Sequence, residues 1–265
     1  MLQELYVIKI GGYILDNEKL LSRFLSDFAS LPSNKVLIHG GGKLATELSH
    51  KLGIETKMID GRRVTDEDTI RIVTMTYAGW INKSITAKLQ THNCPALGLS
   101  GVDAQLIPAV KRPIKNIDYG WVGDVLPGKI NVSFFKSILE QNMVPVIAPI
   151  SCNDQGQLLN VNADTIAQYI AESLSPYFAT TLVYCFEKNG LLENVQDDST
   201  VISEISLETA ADMKQSGTIT SGMLPKIDNA FQAIKNGVQT VMIGNALHVR
   251  QLALKLNGYG TRIKA

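Results

Sequence analysis

Short apolar runs of strand length alternate along the chain with longer segments in which apolar residues recur at helical spacing. The apolar runs occupy residues 5–10, 36–39, 96–99, 144–150, 181–185 and 240–243. They are hydrophobic at nearly every position, which is typical of strands that are covered on both faces in a parallel sheet. The pattern therefore predicts an α/β fold with helices on both sides of a mostly parallel sheet.

Capping residues and glycine mark the ends of two predicted helices. The sequence Thr-Asp-Glu-Asp at residues 65–68 has the pattern of a capping box, and it precedes a helical segment that extends to about residue 90. Ser221 opens another helical segment and Gly237 closes it. This assignment places Pro225 in the first turn, where proline is tolerated.

Residues 105–125 depart from this pattern. Prolines and glycines break them into short β-like runs, which predicts hairpins at the edge of the sheet that form a flap over a ligand. Another break, at Ser175 and Pro176, interrupts a helical pattern before the next strand. We expect this break to divide one continuous fold into an N-terminal lobe, residues 1–175, and a C-terminal lobe, residues 176–265.

The composition is that of an ordinary globular protein. Of the 265 residues, 45% are hydrophobic and 19% are charged, and 25 basic residues balance 25 acidic ones. A chain without net charge lacks the electrostatic signature of a nucleic-acid or membrane-surface protein, and the densest basic group, Lys111, Arg112 and Lys115, is interpreted as a solvated hairpin. The three cysteines suit neither a disulfide framework nor a metal-binding pair, and neither a targeting segment nor a membrane-spanning run is recognised. A cytoplasmic location is therefore expected.

Two glycine-rich turns directly follow apolar runs. They are Lys-Ile-Gly-Gly at residues 9–12 and His-Gly-Gly-Gly at residues 39–42. Without Cβ atoms the backbone can approach a ligand closely, and the N–H groups and dipole of the following helix favour an anion. Two such turns suggest two charged substrates. Lys9 lies within an apolar run, where its ammonium group needs a partner, and a phosphate is a suitable one.

Alternating polar residues form another candidate group. In strand geometry Asn160, Asn162 and Asp164 project to one side, where amides donate to a carboxylate or carbonyl group and the carboxylate orients ammonium groups. The alternative is an Asx-type turn in which Asp164 caps a helix that begins near Thr165. The local sequence leaves both interpretations open.

Two further cations stand where an anion can bind. Lys226 lies near the start of a predicted helix, where the helix dipole disfavours a cation unless an anion is present, although an isolated helix lysine is commonly just solvated. Arg63 precedes a predicted helix and can bind a carboxylate through two parallel hydrogen bonds. Arg62 competes for that role, and either arginine can also be a simple surface residue.

The glycine motifs allow other interpretations. An esterase oxyanion hole at residues 39–42 would require Gly-x-Ser-x-Gly, which is absent, as is a Walker A loop. Residues 40–45 do fit the loose dinucleotide-binding pattern Gly-x-Gly-x-x-Ala, with Asp60 at a suitable distance downstream. A nicotinamide-dependent oxidoreductase is therefore an alternative, although it leaves Lys9 and Lys226 without a role.

Taken in order, the motifs at residues 9–12, 39–42, 61–65, 160–164 and 222–226 resemble those of the N-acetylglutamate kinases of the amino-acid kinase superfamily. The resemblance extends over nearly the whole chain. It implies a carbamate kinase-like fold, a three-layer αβα sandwich around a mostly parallel central sheet. It also implies an enzyme that transfers the γ-phosphoryl group of ATP to the γ-carboxylate of an N-acyl-L-glutamate, in the second step of arginine biosynthesis.

The resemblance implies roles for individual residues. Gly41 and Gly42 would hold the acylglutamate, Arg63 its α-carboxylate, and Asn160 and Asn162 its neighbouring polar groups. The expected acyl group is acetyl, and succinyl stays open because the flap at residues 105–125 borders the region expected to meet it.

The catalytic residues that the resemblance implies are Lys9 and Lys226, which would flank the transferring phosphoryl group, and Asp164, which would orient both. Magnesium would arrive with ATP, bound mainly by phosphates, so no protein metal site is expected. The family usually has a Thr/Ser-Asp pair where this chain has Phe186 and Glu187, so the ATP site is expected to differ in detail. The expected nucleotide contacts are Gly11, Gly12, Glu187, Asn189, Gly190, Leu192, Thr218, Ile219 and Thr220.

The expected partners are small-molecule substrates and another copy of the chain, without nucleic acid or membrane. In this family a helix before the first strand accompanies arginine-inhibited hexamers. Because the first strand here begins by Leu5, we expect a homodimer without arginine inhibition. A catalytically silent nucleotide-binding sensor with the same fold is a further alternative.

Overall fold

The computed structural model of the chain describes residues 2–32, 34–59, 62–194, 196–215 and 223–264. Its strands are β1 (Glu4–Ile10), β2 (Asn34–His39), β3 (Met58–Ile59), β4 (Arg62–Arg63), β5 (Ala96–Ser100), β6 (Ala109–Lys111), β7 (Val122–Val125), β8 (Val144–Ala148), β9 (Ile150–Cys152), β10 (Leu158–Val161), β11 (Ala179–Phe186), β12 (Glu204–Ile205), β13 (Thr240–Asn245) and β14 (Thr261–Ile263). Its α-helices are α1 (Gly12–Leu15), α2 (Glu18–Ala29), α3 (Gly42–Lys51), α4 (Glu67–Thr74), α5 (Asn82–Gln90), α6 (Val132–Glu140), α7 (Ala163–Leu174), α8 (Leu207–Gln215), α9 (Leu224–Lys235) and α10 (Val249–Ala253). A π-helix, Met75–Ile81, joins α4 to α5, and 3₁₀ turns occupy Asp103–Gln105 and Ala246–His248.

The first of two compact units combines both ends of the chain, Met1–Val36 and Ala167–Ala265. Its strands lie in the order β12-β14-β13-β11-β1, and neighbouring strands are parallel except for β13 and β14. In the register of β1 with β11, Lys9 lies opposite Tyr184. The apolar runs that predicted β1, β11 and β13 are therefore confirmed as buried, parallel strands.

The second compact unit is one continuous segment, Leu37–Ile166. It contains parallel strands in the order β2-β8-β5 and a separate sheet in the order β6-β7-β10-β9. A hairpin predicted within residues 105–125 is present as β6 and β7. The prediction that it lies at the edge of the mostly parallel sheet was wrong, because β7 pairs with β10 and both strands of the hairpin belong to the separate sheet. The predicted strand at residues 144–150 is divided between β8 and β9 at Pro149, which has no N–H to donate to a sheet.

The helix predicted after residue 65 has a different cap. The Asp66 carboxylate accepts a hydrogen bond from the Thr69 backbone N–H over 2.8 Å and caps α4. Thr65 is fully buried, and its backbone N–H donates to the Tyr119 carbonyl oxygen while its own carbonyl oxygen accepts from the Trp121 N–H. The prediction that Thr65 is the cap was wrong, because these contacts with the flap hold residue 65 outside the helix.

Helices and strands are interleaved along the chain, and the predicted mixed α/β fold with a mainly parallel central sheet is confirmed. Pro225 lies in the first turn of α9, as predicted. The two compact units do not follow a single division at residue 175, so the assignment of ligand-binding roles to residues 1–175 and 176–265 stays a prediction. No helix within the described ranges is long and apolar enough to cross a membrane.

Candidate active site

Arg63, at the end of β4, turns a buried guanidinium group toward neutral oxygen atoms. Its Nη2 atom donates to the Gly42 carbonyl oxygen and to the Thr46 hydroxyl, each over 2.7 Å, and its Nη1 atom donates to the Thr56 hydroxyl over 3.2 Å. Only 8% of Arg63 is exposed, whereas Arg62 is exposed. The three acceptors orient the guanidinium group without cancelling its charge, which is the arrangement that a carboxylate receptor needs.

The π-helix packs against the glycine turn that precedes α3. A Cβ atom at Gly41 would lie 2.4 Å from Ile81 Cδ1 and 2.8 Å from Tyr77 Cδ1, so only glycine fits at this position. Burial raises the pKa of Tyr77, although the charge of Arg63 and a hydrogen bond from it act in the opposite direction. Tyr77 is therefore a neutral phenol that links Arg63 to the turn. A π-helix at this place is consistent with a functional role, since such segments are rare and frequent at functional sites.

Asn160 joins β10 to the segment that carries Arg63. Its Nδ2 atom donates to the Thr65 hydroxyl over 3.1 Å, and the Thr65 hydroxyl donates to the Arg63 carbonyl oxygen over 3.1 Å. The Asn160 backbone N–H donates to the Trp121 carbonyl oxygen over 2.9 Å. These bonds hold the flap, the arginine segment and Asn160 in one arrangement.

Asn162 and Asp164 do not continue the strand of Asn160. The strand β10 ends at Val161, and the Asn162 side chain accepts a hydrogen bond from the Thr165 backbone N–H over 3.0 Å at the start of α7. The prediction that Asn160, Asn162 and Asp164 share one side of a strand was wrong, because the chain enters a helix at residue 163. The alternative with Asp164 as the cap was also wrong, since Asn162 caps the helix and Asp164, in its first turn, is 8% exposed.

A cavity of about 240 Å³ in the second unit brings together all five residues that we predicted to bind the acylglutamate. Two further arginines line the cavity beside Arg63: Arg62, and Arg112 from the loop after β6, which pairs with Asp124. The lining residues are Gly40, Gly41, Gly42, Met58, Arg62, Arg63, Tyr77, Arg112, Val122, Pro149, Asn160, Val161, Asn162 and Ala163.

In the first unit, Lys9 lies beside the turn that follows β1. A Cβ atom at Gly11 would lie 3.7 Å from Lys9 Nζ, so the ammonium group stands next to the backbone that opens α1 at Gly12. Burial raises the pKa of the nearby Cys185 thiol to about 12, and the positive charge of Lys9 opposes this effect. Lys9 is therefore a cation placed between buried strands and a glycine turn, as the sequence predicted.

The predicted nucleotide contacts after β11 divide into two groups. Glu187 is exposed and Asn189 is half-buried, whereas Gly190 and Leu192 are buried. A Cβ atom at Gly190 would lie 2.8 Å from the Thr261 hydroxyl oxygen, so this glycine packs tightly inside the unit.

Asn245, which the sequence did not single out, holds this loop. Its Nδ2 atom donates to the Glu187 carbonyl oxygen over 3.1 Å and to Asn189 Oδ1 over 3.2 Å. Because β1, β11 and β13 are parallel, their carboxyl ends, and with them Gly11, Glu187 and Asn245, lie at the same edge. That edge is where ligands bind in parallel sheets.

Lys226 is half-buried and lies in the first turn of α9, where the sequence predicted a cation at a helix N-terminus. The predicted contacts Thr218, Ile219 and Thr220 lie outside the described residues. Within the ranges that the structure describes, no group of three or more His, Cys, Asp or Glu side chains could hold a metal ion.

Comparison with known proteins decides the family. The model of the amino acid kinase family matches residues 4–245. An acetylglutamate kinase of Cytophaga hutchinsonii is 49% identical over 265 residues, which is the whole of both chains. The chain belongs to the acetylglutamate kinases of the amino acid kinase family. It is therefore a kinase, and the alternative of a nicotinamide-dependent oxidoreductase was wrong.

Solved structures show the amino acid kinase fold over the whole chain. A protein of Streptococcus mutans superposes with a TM-score of 0.76 at 27% identity, covering 99% of this chain and 98% of that one. The carbamate kinase of Giardia lamblia, bound to AMP-PNP, superposes with a TM-score of 0.69 at 14% identity and covers 98% of both chains. At that low identity the second likeness concerns the fold alone.

Some residues that line this cavity or contact Arg63 were not predicted from the sequence. Tyr77, Thr46 and Thr56 surround Arg63, and Arg112 was interpreted as part of a solvated hairpin. Tyr77 and Thr46 lie inside helical segments, where the spacing of residues does not distinguish a functional side chain from any other residue of the helix. The signal available for Asn245 was its position at the carboxyl end of the apolar strand β13, and Gly11 was identified by its position at the same end of β1.

Proposed function

We propose that the chain transfers the γ-phosphoryl group of ATP to the γ-carboxylate of N-acetyl-L-glutamate and forms an acyl phosphate and ADP, in the second step of arginine biosynthesis. The observation that carries this proposal is the buried guanidinium group of Arg63, held by Gly42, Thr46 and Thr56 at the wall of a cavity. A full-length relative at 49% identity that is named acetylglutamate kinase supports the choice of substrate.

Arg63 would bind the α-carboxylate of the substrate. Its charge is not cancelled by its neutral neighbours, so an anion in the cavity gains a charge-assisted hydrogen bond without displacing another anion. The turn at Gly41 and Gly42 opens α3, and the N–H groups at a helix N-terminus favour negative charge. We assign the reacting carboxylate to this turn, and the polar groups between the two carboxylates to Asn160 and Asn162.

Lys9 and Lys226 would neutralise charge on the transferring phosphoryl group, and Asp164 would orient the two ammonium groups. Phosphoryl transfer requires positioning and charge stabilisation rather than covalent chemistry from the protein. The turn at Gly11 and Gly12 would meet the ATP phosphates. Magnesium would enter with ATP, since its preferred ligands there are phosphate oxygens and water.

An assay that couples ADP release to a colour change tests this function. The purified chain is given Mg-ATP with N-acetylglutamate, N-succinylglutamate, aspartate or UMP, in separate reactions. We expect ADP release with an N-acylglutamate only. ADP release with aspartate or UMP would assign another substrate within the family, and tight ATP binding without ADP release would favour the alternative of a silent sensor.

N-succinyl-L-glutamate is a second candidate substrate. A cavity of about 350 Å³ is lined by Arg62, Arg112 and Lys115, and the two arginines also line the substrate cavity. Arg112 pairs with Asp124 through its Nε atom over 3.0 Å, which leaves Arg62 and Lys115 as further positive charges on this wall. A succinyl group carries a carboxylate that an acetyl group lacks, and this wall suits it.

The variant Lys115→Ala separates the two substrates. Because Lys115 is exposed, its loss should lower kcat/KM for N-succinylglutamate only about two- to fivefold, and it should leave kcat/KM for N-acetylglutamate unchanged. An equal effect on both substrates would exclude a role for this wall in acyl selection.

We also propose a cytoplasmic homodimer. The π-helix exposes two large apolar side chains, Met75 at 54% and Trp80 at 71%, which contact with a second copy of the chain would cover. Light scattering coupled to gel filtration measures the mass directly. A monomer or a hexamer in solution would contradict the proposal.

A further inference from the structure

A buried pair of polar side chains lies next to the glycine turn of the second unit. His39, the last residue of β2, is fully buried, and its Nδ1 atom lies 2.8 Å from the Gly40 carbonyl oxygen. Its Nε2 atom lies 3.2 Å from Asn82 Nδ2. Asn82 directly follows the π-helix, and 1% of it is exposed. Asn82, His39 and Gly40 thus form a continuous chain of contacts, the Asn82–His39 relay.

The surroundings of Asn82 determine which groups of the relay are donors. The Asn82 Nδ2 atom also lies 2.9 Å from the Val146 carbonyl oxygen and 3.3 Å from the Leu99 carbonyl oxygen. Carbonyl oxygens only accept hydrogen bonds, so the atom that faces them is the amide nitrogen. An amide nitrogen donates and does not accept, so the His39 Nε2 atom that faces the same nitrogen is the acceptor, and the two hydrogens of the amide are shared among three acceptors. A neutral imidazole in this place carries its proton on Nδ1 and donates it to Gly40.

Burial keeps His39 neutral. Removal from water lowers the pKa of its imidazole from 6.5 to about 4, although the hydrogen bond with Gly40 opposes this effect. At neutral pH the relay therefore holds one tautomer of a neutral ring.

The hydrogen bond to Gly40 also orients the next peptide group. In a trans peptide the C=O and N–H bonds point in opposite directions, so a Gly40 carbonyl group held by His39 directs the Gly41 N–H away from the imidazole. Gly40 and Gly41 line the substrate cavity. A peptide between two glycines rotates easily, because no Cβ atom restricts it. A donor in such a peptide needs an external contact that keeps it preorganised.

We propose that Asn82 is a positioning residue for phosphoryl transfer. Asn82 selects the His39 tautomer that holds the Gly40–Gly41 peptide, and that peptide keeps the Gly41 N–H ready for the reacting carboxylate. The identity of that carboxylate rests on the proposed function. The tautomer is a property of the protein without substrate.

Nuclear magnetic resonance of ¹⁵N-labelled histidine side chains tests the first half of the proposal. The chain has four histidines, and the variant His39→Asn identifies the signals of His39 by their loss. We expect the Nδ1–H tautomer for His39 at pH 7. In Asn82→Ala the Nε2 atom loses its donor, and we expect a detectable fraction of the Nε2–H tautomer.

Steady-state kinetics of the same variant tests the second half. Asn82→Ala should lower kcat about 10- to 100-fold, the effect of a small misplacement of a catalytic group. The KM for the acylglutamate should change less than about threefold, because Arg63 is untouched. The matched control is Gln90→Ala, which removes another α5 amide that donates to a carbonyl oxygen of β5, that of Ala96 over 3.4 Å. The control should retain the wild-type kcat and the wild-type tautomer.

Two results would overturn the proposal: an unchanged tautomer in Asn82→Ala, or a changed tautomer with the wild-type kcat.

Where Asn82→Ala does not fold, His39→Asn and His39→Gln replace it. An asparagine amide can take the place of Nδ1 and donate to Gly40, whereas a glutamine amide lies near the place of Nε2. The kcat of His39→Asn should exceed that of His39→Gln about tenfold, and equal values would reject the relay. An inactive wild-type chain would reject the proposed function, while the tautomer measurement would still test the relay.

Discussion

The Nη2 atom of Arg63 and the carbonyl oxygen of Gly42 are joined by a hydrogen bond of 2.7 Å. This bond links β4 to the first residue of α3, so the guanidinium group and the glycine turn occupy fixed positions in the same cavity. A dicarboxylate substrate presents two anionic groups, and rotation about its single bonds adjusts their separation to the protein. The Arg63–Gly42 bond therefore fixes the distance between the two places that we assign to those groups.

Loss of the Arg63 side chain should weaken acylglutamate binding. Hydrogen bonds to a charged group contribute about 1.5–3 kcal/mol, so Arg63→Ala should raise KM for the acylglutamate about 10- to 100-fold and leave KM for ATP nearly unchanged. The KM of Arg63→Lys for the acylglutamate should lie between the KM values of the wild type and of Arg63→Ala, because lysine keeps the charge and loses the paired donors. Initial-rate kinetics with each substrate varied in turn measures both constants.

The control for this variant is Arg71→Ala. Arg71 is exposed and pairs with Glu67 over 3.3 Å on the surface of α4, an interaction of little energetic consequence. Its kinetics should equal those of the wild type. A wild-type KM in Arg63→Ala would remove Arg63 from the substrate site.

A methyl group at Gly41 should disrupt the turn. In Gly41→Ala the added atom would lie 2.4 Å from Ile81 and 2.8 Å from Tyr77, so the π-helix or the turn must shift. Overpacking of this kind costs about 1–3 kcal/mol, and urea unfolding should show it together with a loss of activity. The matched control is Gly79→Ala on the exposed side of the same π-helix, which meets nothing within 4 Å and should stabilise the protein by about 0.5–1 kcal/mol. Equal stability of the two variants would contradict the packing argument.

Removal of either proposed catalytic ammonium group should slow the chemical step. Lys9→Met and Lys226→Met keep the length of the side chain and remove its charge. Each should lower kcat about a hundredfold or more, equivalent to roughly 3–4 kcal/mol of barrier, with a smaller effect on acylglutamate binding. Lys235→Met, at the exposed end of the same helix as Lys226, is the control. Full activity of Lys9→Met or Lys226→Met would refute the role of that residue.

Acid should destabilise the protein through His39. Burial lowers the pKa of His39 to about 4, against 6.5 for an ordinary histidine. Between pH 6.5 and pH 4 the His39 imidazole binds a proton in the unfolded chain but not in the folded chain. The contribution of His39 to the free energy of unfolding is therefore fully present above pH 6.5 and is lost as the pH falls. The loss attributable to His39 should be about 2 kcal/mol at pH 5 and about 3 kcal/mol at pH 4.

Urea unfolding of the wild type and of His39→Asn between pH 7 and pH 5 isolates this effect. The other titrating groups are common to both proteins, so the difference between the two pH dependences belongs to His39. The free energy of unfolding should fall less steeply in His39→Asn. Parallel curves would show that His39 does not remain neutral in the folded protein.

The sequence alone determined the α/β class, the strands that carry the glycine turns, and the family. The reason is that these signals are local: a buried parallel strand is apolar at nearly every position, and a glycine turn follows it directly. Lys9 in β1 and Pro225 in the first turn of α9 were predicted correctly on these grounds. The five residues assigned to the acylglutamate also line one cavity, as the resemblance implied.

Only the tertiary structure decided how the polar residues are used. Thr65 and Asn160 bond across 95 positions of the chain, and Asn82 and His39 across 43. Capping preferences and strand alternation describe neighbours in sequence, so they assigned Thr65 to a helix cap and left Asp164 open between a strand and a helix cap. The folded chain uses Asp66 and Asn162 as the caps instead. Buried polar groups must find partners wherever the fold provides them, and these partners are set by packing rather than by local propensity.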